Sequence, residues 1–274
     1  MASATTHSVW YVYGIVPEDA PMALAPAGID DADVTVERHA GVAALVSVLD
    51  DPSYAPSVIE ANSGDVEWLS PRAVAHDRVL TWASDHGAVI PLPMFSLFSS
   101  ADAVDRMLSD RSSHIAAMLA RIGHGREYAL RVYRVDAELL SAVASLSPRL
   151  AAMANTAAAA SPGQRYLLER KLDGERKTEM RVVTQRLVEE IVDALSPHAM
   201  CVARSPIPKA ADADLAARGT MVLNAAFLVA PAALEAFQRM LTELVERHGE
   251  HGLRFDFTGP WPPYHFVNER ADAR

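Results

Sequence analysis

The alternation of apolar and polar positions divides the chain into strand-like and helix-like segments. Val9-Trp10-Tyr11-Val12-Tyr13-Gly14-Ile15-Val16 is a continuous β-branched and aromatic run that stops at Pro17, which reads as a strand. Two short runs follow, Val34–Arg38 and Val42–Leu49, hinged at His39-Ala40-Gly41, the spacing of a hairpin with glycine in its turn. Residues 50–65 are acidic and interrupted by proline and are expected as loop. From Trp68 to Ala83, the residues Leu69, Ala73, His76, Leu80 and Ala83 recur every three or four positions, the period of a helix, and Gly87 stops it. Val89–Leu92 is a short buried strand. Ala101–Ile122 is a helix with Val104, Met107, Leu108, Ile115, Met118 and Leu119 on its apolar stripe.

From Arg126 the pattern changes register. Glu127–Val135 alternates as a strand, with Tyr128, Leu130 and Val132 on one face. Residues 137–160 are alanine-rich and read as a connecting helix and loop. Gln164–Leu195 is a long helix whose stripe runs through Met180, Val183, Leu187, Ile191 and Ala194, with seven basic and seven acidic residues on its other faces. Ala199–Arg204 and Thr220–Val229 are strands, Pro231 opens a helix over Ala232–His248, and Leu253–Phe257 is the last strand. Strand, helix, strand, strand, helix, strand is the ferredoxin-like βαββαβ plan. The expected fold class is therefore α+β in two domains. Residues 1–125 form a small domain of sheet and helices. Residues 126–274 form a ferredoxin-like domain with an aromatic, proline-rich terminal strap.

Composition narrows the functional classes. Half of the 274 residues are hydrophobic, enough for a core without disulfide or metal staples. The formal net charge is −10, and residues 1–136 contain 18 acidic and 9 basic residues and no lysine. An acidic chain lacks the electrostatic footprint that nucleic acid or an anionic membrane surface attracts. The single cysteine, Cys201, excludes an intrachain disulfide and suits a reducing compartment. The first basic residue is Arg38, so no secretory n-region is expected, and no apolar run reaches the roughly 20 residues of a membrane span. These features point to a cytoplasmic location.

No catalytic machinery is legible. There is no G-x-G-x-x-G, no P-loop and no G-x-S-x-G. His248 and His251 are three apart, but no cysteine pair or H-E-x-x-H helix completes a zinc set, and a glycine-flanked helix exit accounts for them. His76 and His86 read as ordinary histidines of one helix. Cys201 lies within a strand as a small hydrophobe, with His198 on the opposite face. Asp30-Asp31 and Asp50-Asp51 fall in loops. No metal or cofactor is expected. The end of the chain is distinctive: Phe255 to Val267 holds three phenylalanines, Trp261 and Tyr264, stiffened by Pro260, Pro262 and Pro263. Such a segment is either a strap folded over a core or an exposed surface for a partner.

Phe257-Thr258-Gly259-Pro260-Trp261-Pro262-Pro263-Tyr264-His265-Phe266-Val267 resembles the C-terminal signature of the gas vesicle protein GvpL/GvpF family. Tyr11-Val12-Tyr13-Gly14-Ile15-Val16, Ala44-Leu45-Val46-Ser47 and Gly163-Gln164-Arg165-Tyr166-Leu167-Leu168-Glu169-Arg170-Lys171 resemble its opening strand, its hairpin and the start of its long helix. One departure stands out. The family pattern Pro-x-Arg-Phe-Gly-Thr here reads Pro91-Leu92-Pro93-Met94-Phe95-Ser96, without the arginine and the glycine. The resemblance implies a non-catalytic accessory protein of gas vesicle formation, acting in the cytoplasm and at the gas vesicle. Its implied partners are the small hydrophobic shell protein and other accessory proteins. Met94, Phe95, Trp261 and Tyr264 are the expected partner-binding residues. The alternative class is an enzyme or small-molecule sensor built on a ferredoxin-like sheet.

Overall fold

The computed structural model describes residues 8–20, 24–50, 52–208 and 218–267. Asp51 of the second acidic pair lies outside them. The architecture is mixed helix and sheet, with one antiparallel sheet in each of two compact units. The first unit runs to Glu127 and resumes at Pro260; the second spans Tyr128–Gly259. The strap after Gly259 thus belongs with the first unit, whereas the sequence reading assigned it to the second.

In the first unit, β1 (Val9–Pro17), β2 (Thr35–His39) and β3 (Val42–Leu49) order as β2-β3-β1. The far edge of β1 is shared by β4 (Ile90–Pro91), opposite Gly14 and Ile15, and β5 (Leu97–Phe98), opposite Trp10 and Tyr11. Both faces of this sheet are buried. Tyr11, Tyr13, Ala43 and Leu45 pack with Ala75, Val79, Leu80 and Ala83 of α2 (Val66–His86). Val12, Ala44 and Val46 pack with Val104 and Leu108 of α3 (Ala101–Asp110) and with Ile115, Leu119 and Ile122 of α4 (Ser112–Ile122). Two buried faces explain why Val42–Leu49 reads as a nearly unbroken apolar run rather than an alternating one. The β1–β3 register shifts between Val12 and Gly14. This bulge puts Val12 and Ile15, which strict alternation would separate, on the same side.

Two expectations fail here for identifiable reasons. Residues 50–65 are not all loop: α1 (Pro56–Asn62) forms with Pro56 in its first turn, where the missing N–H costs nothing. The single helix expected over Ala101–Ile122 is two, broken at Arg111 (φ −124°, ψ 11°) within the polar run Ser109 to Ser113.

The second unit has strand order β7-β8-β6-β9, built from β6 (Arg126–Arg134), β7 (Cys201–Arg204), β8 (Thr220–Val229) and β9 (Leu253–Trp261). One core joins Tyr128, Leu130 and Val132 of β6 and Phe227 of β8 to Val183, Leu187 and Ile191 of α7 (Pro162–Leu195) and to Phe237, Leu241 and Leu244 of α8 (Leu234–Gly249). The stretch 137–160 is two helices rather than a helix and a loop, α5 (Asp136–Leu146) and α6 (Pro148–Ala159). Ser147 starts α6 by accepting from the Leu150 amide, and its hydroxyl donates to the buried Glu179 of α7 at 2.7 Å. β9 continues four residues beyond Phe257. Pro260 is tolerated because β9 is an edge strand. His198 lies in a 3-10 turn before β7, so it and Cys201 do not share a strand.

Gly14 is a fixed point of the first unit. A Cβ there would stand 2.8 Å from the Ile90 carbonyl oxygen and 2.8 Å from a Leu80 methyl. Gly14→Ala is expected to lower unfolding stability by about 1–3 kcal/mol, as overpacking of a filled core does. Urea denaturation of the variant and the parent measures this, and an unchanged midpoint would mean that β4 yields freely.

Candidate functional site

The turn at Pro93-Met94-Phe95 lies between β4 and β5, where the chain leaves the edge of β1 and returns to it. Leu92 N–H donates to Tyr13 O (3.0 Å) on one side, and Val12 N–H donates to Ser96 O (2.9 Å) on the other. Pro93 has no N–H to give. Phe95 has φ +64°, a left-handed conformation that costs a bulky residue on the order of 1 kcal/mol or more. This is the position at which the family pattern has glycine.

Aromatic packing and a buried hydrogen-bond chain hold the turn. The Phe95 ring stacks on Trp68 (centroids 5.4 Å, 24°) and meets Tyr11 edge-on (6.3 Å, 81°). Phe95 N–H donates to the Tyr11 hydroxyl (3.2 Å), which lies 2.7 Å from His76 Nδ1. His76 Nε2 is 3.2 Å from the Leu92 carbonyl, which only accepts. The proton therefore sits on Nε2, and Tyr11 donates to Nδ1. One tyrosine and one histidine thus tie both ends of the turn to β1 and α2. Burial pushes His76 down to about 4 and raises the Tyr11 hydroxyl far above its ordinary range. Arg72, one turn before His76, lies 4.3 Å over the Trp68 ring and donates to Asp30 (2.8 Å). Asp30 also accepts from the Tyr54 hydroxyl at 2.6 Å.

The terminal strap closes on the same unit. Pro262, Pro263 and Phe266 are buried. The buried Glu127 carboxylate accepts from His265 twice, from its amide (2.8 Å) and its Nδ1 (2.6 Å), and Arg121 donates to the Phe266 carbonyl (2.8 Å). Burial pushes the Tyr264 hydroxyl up to about 12, helped by the carboxylates of Asp77 and Glu127.

Of the four expected contact residues, Met94, Phe95 and Tyr264 are half-buried against one core, that of β1, β3 and α2. Trp261 is outside that cluster and 43% exposed. The sequence reading missed Tyr11, Trp68, Arg72 and Glu127. It had His76 on the apolar stripe of α2 but not its partners, which are 65 and 16 positions away. His248 is buried, with Nε2 3.4 Å from Glu190 but not aligned for a hydrogen bond. Among the described residues no group of three or more His, Cys, Asp or Glu is placed to hold a metal ion, and no helix is long and apolar enough to cross a membrane.

A family model described as gas vesicle synthesis protein GvpL/GvpF matches residues 9–268. Gas vesicle protein L of Streptomyces sp. (strain CB03234) is 27% identical over 270 residues, covering 96% of this chain and 94% of that protein. Gas vesicle protein L2 of Halobacterium salinarum is 27% identical, covering 88% of this chain and 83% of that protein. Among solved structures, GvpF of Anabaena sp. PCC7120 has a similar fold, with a TM-score of 0.66 at 18% identity over 95% of this chain and 96% of that one.

The buried histidine makes stability depend on pH. Unfolded, His76 takes a proton below about pH 6.5; folded, it does so only below about 4. Stability is therefore lost as pH falls from about 6.5 to about 4, by up to roughly 3 kcal/mol from this group. Denaturant titrations at several pH values should show that His76→Asn has lower stability at neutral pH and a flatter dependence in this window. Equal slopes in parent and variant would assign the dependence to other groups. The strap supplies a second expectation: Phe266→Ala should cost about 3–5 kcal/mol in chemical denaturation. A change below about 0.5 kcal/mol would show that the strap is not part of the cooperative unit.

Proposed function

The chain belongs to the GvpL/GvpF family of gas vesicle synthesis proteins, and we propose that it is a non-catalytic accessory protein of gas vesicle formation. It binds the small hydrophobic shell protein and other accessory proteins during assembly, in the cytoplasm and at the forming vesicle. The observation that carries this reading is the family match, which runs almost from end to end of the chain. An apolar shell subunit needs a soluble partner before it is incorporated, and an acidic protein with a net charge of −10 resists being drawn into aggregates itself.

The second unit is read as ferredoxin-like. Its strand order, β7-β8-β6-β9, with α7 and α8 packed into one core with the sheet beside the added helices α5 and α6, supports this. Contact with the shell protein is assigned to apolar surface at the Met94 turn and at Trp261. Phe95 and Tyr264 serve mainly to hold these segments in place, since both rings are engaged with the first unit's core.

Co-purification of the shell protein tests the assignment. Trp261→Ala and Met94→Ser should each weaken capture about tenfold, which corresponds to about 1.4 kcal/mol; Trp261→Ala should change the melting midpoint little, and Met94→Ser should lower it less than Phe95→Ser does. Phe95→Ser should lower the midpoint clearly, because it removes the stack on Trp68. Capture that survives both Trp261→Ala and Met94→Ser would remove these surfaces from the account. Capture lost in moderate salt alone would show that charge rather than apolar contact carries the interaction.

A further inference from the structure

A second feature of the first unit lies at the opposite end of β1 from its start. Beyond Pro17, the end of β1, the β2–β3 turn at Gly41 and the C-terminal ends of α2 and α4 enclose a cleft of about 470 Å³. That volume falls in the range of small-ligand sites. Its apolar surface comes from Val42, Ala88 and Leu119. α2 and α4 both terminate here, at Gly87 and Gly123, and the final carbonyls of a helix carry its partial negative charge. Asp19 adds a carboxylate. His86 donates through Nδ1 to the Trp82 carbonyl (2.7 Å) and lines the same wall. His124 completes the rim.

No lysine or arginine is among the described residues that line this cleft. Arg121, on the last turn of α4, is turned to the strap, where it donates to Phe266 O. An apolar floor beside the Asp19 carboxylate and the negative ends of two helices, with no lysine or arginine among the described lining residues, matches a ligand with a donor-rich positive head on a short aliphatic stem. We propose that this cleft binds a guanidinium or alkylammonium group. The floor takes the methylenes, and Asp19 with the two helix ends takes the charge. A free small cation and a basic side chain of a partner protein share this chemistry.

Titration with butylguanidinium, followed by the ring resonances of His86 and His124, tests the site. Its neutral isostere butylurea separates charge from shape. Saturable shifts are expected, with butylurea binding at least about tenfold more weakly. Asp19→Asn should weaken binding about fivefold, the effect of one exposed charge pair. Ala120→Trp, at an exposed position of α4 that lines the cleft, should abolish binding while leaving the fold intact by thermal melting. Saturation by butylurea at equal affinity, binding retained in Ala120→Trp, or no saturable shift up to about 50 mM would each overturn the proposal. A capped Gly-Arg-Gly peptide distinguishes the sources: tighter binding than butylguanidinium assigns the site to a partner's side chain, weaker binding to a free cation.

Discussion

The first unit depends on β1 being buried on both faces and hydrogen-bonded on both edges. A strand so enclosed has no water to satisfy stray polar groups, so every departure from regular pairing has to be compensated internally. The departure comes at the bulge between Val12 and Gly14. There the two tyrosines that face α2 bring hydroxyl groups into the core. Tyr13 meets Ser47 (2.9 Å) and receives the Ile29 amide (2.9 Å). Tyr11 meets His76 and the Phe95 amide. Each hydroxyl therefore fixes a segment outside the regular sheet, the Ile29 loop in one case and the Met94-Phe95 turn in the other. The opening motif of the family resemblance acquires a physical meaning here. Its tyrosines are polar anchors with large apolar bodies, and its glycine leaves room for β4 to cross.

The same enclosure accounts for the exceptional conformation of Phe95. A left-handed backbone at a bulky residue persists only when its surroundings over-determine it. Here a stacked tryptophan, an edge-on tyrosine and a buried hydrogen-bond chain all act on one turn. At this position the chain places a ring whose stacking offsets the strain. The neighbouring arginine of the family pattern is absent. Arg72 of α2 supplies a guanidinium over Trp68, in the same aromatic cluster.

The strap shows a comparable logic at the end of the chain. Proline at 262 and 263 removes two donors that a buried segment would otherwise have to satisfy. The Tyr264 and Phe266 amides donate to the Pro262 and Pro263 carbonyls, the His265 amide donates to Glu127, and the Phe266 carbonyl accepts from Arg121. A carboxylate buried at Glu127 would be costly alone, and two donors from His265 meet its oxygens. Trp261, just before these prolines, keeps much of its surface exposed, so one short segment combines an anchor with an accessible aromatic.

The sequence by itself determined the elements whose pattern is local. β1, the β2–β3 hairpin, β8 and the long helix α7 appear where periodicity places them, because a two-residue or 3.6-residue repeat is visible within a short window. The family resemblance was legible for the same reason, since its motifs are contiguous. The breaks were less legible. Pro56 starts a helix and Pro260 sits in an edge strand, and only the neighbours of a proline decide whether it interrupts or fits. What the tertiary structure alone decided was which distant residues share an environment. His76 became the support of a turn because Tyr11 and Leu92 lie on either side of it. Glu127 became the latch of the strap because a segment 138 positions later folds back onto it. Met94, Phe95 and Tyr264 met on one core while Trp261 stayed outside it. Hydrogen bonds and burial between positions so far apart leave no periodic trace in the chain, so composition and spacing could not assign these residues their roles.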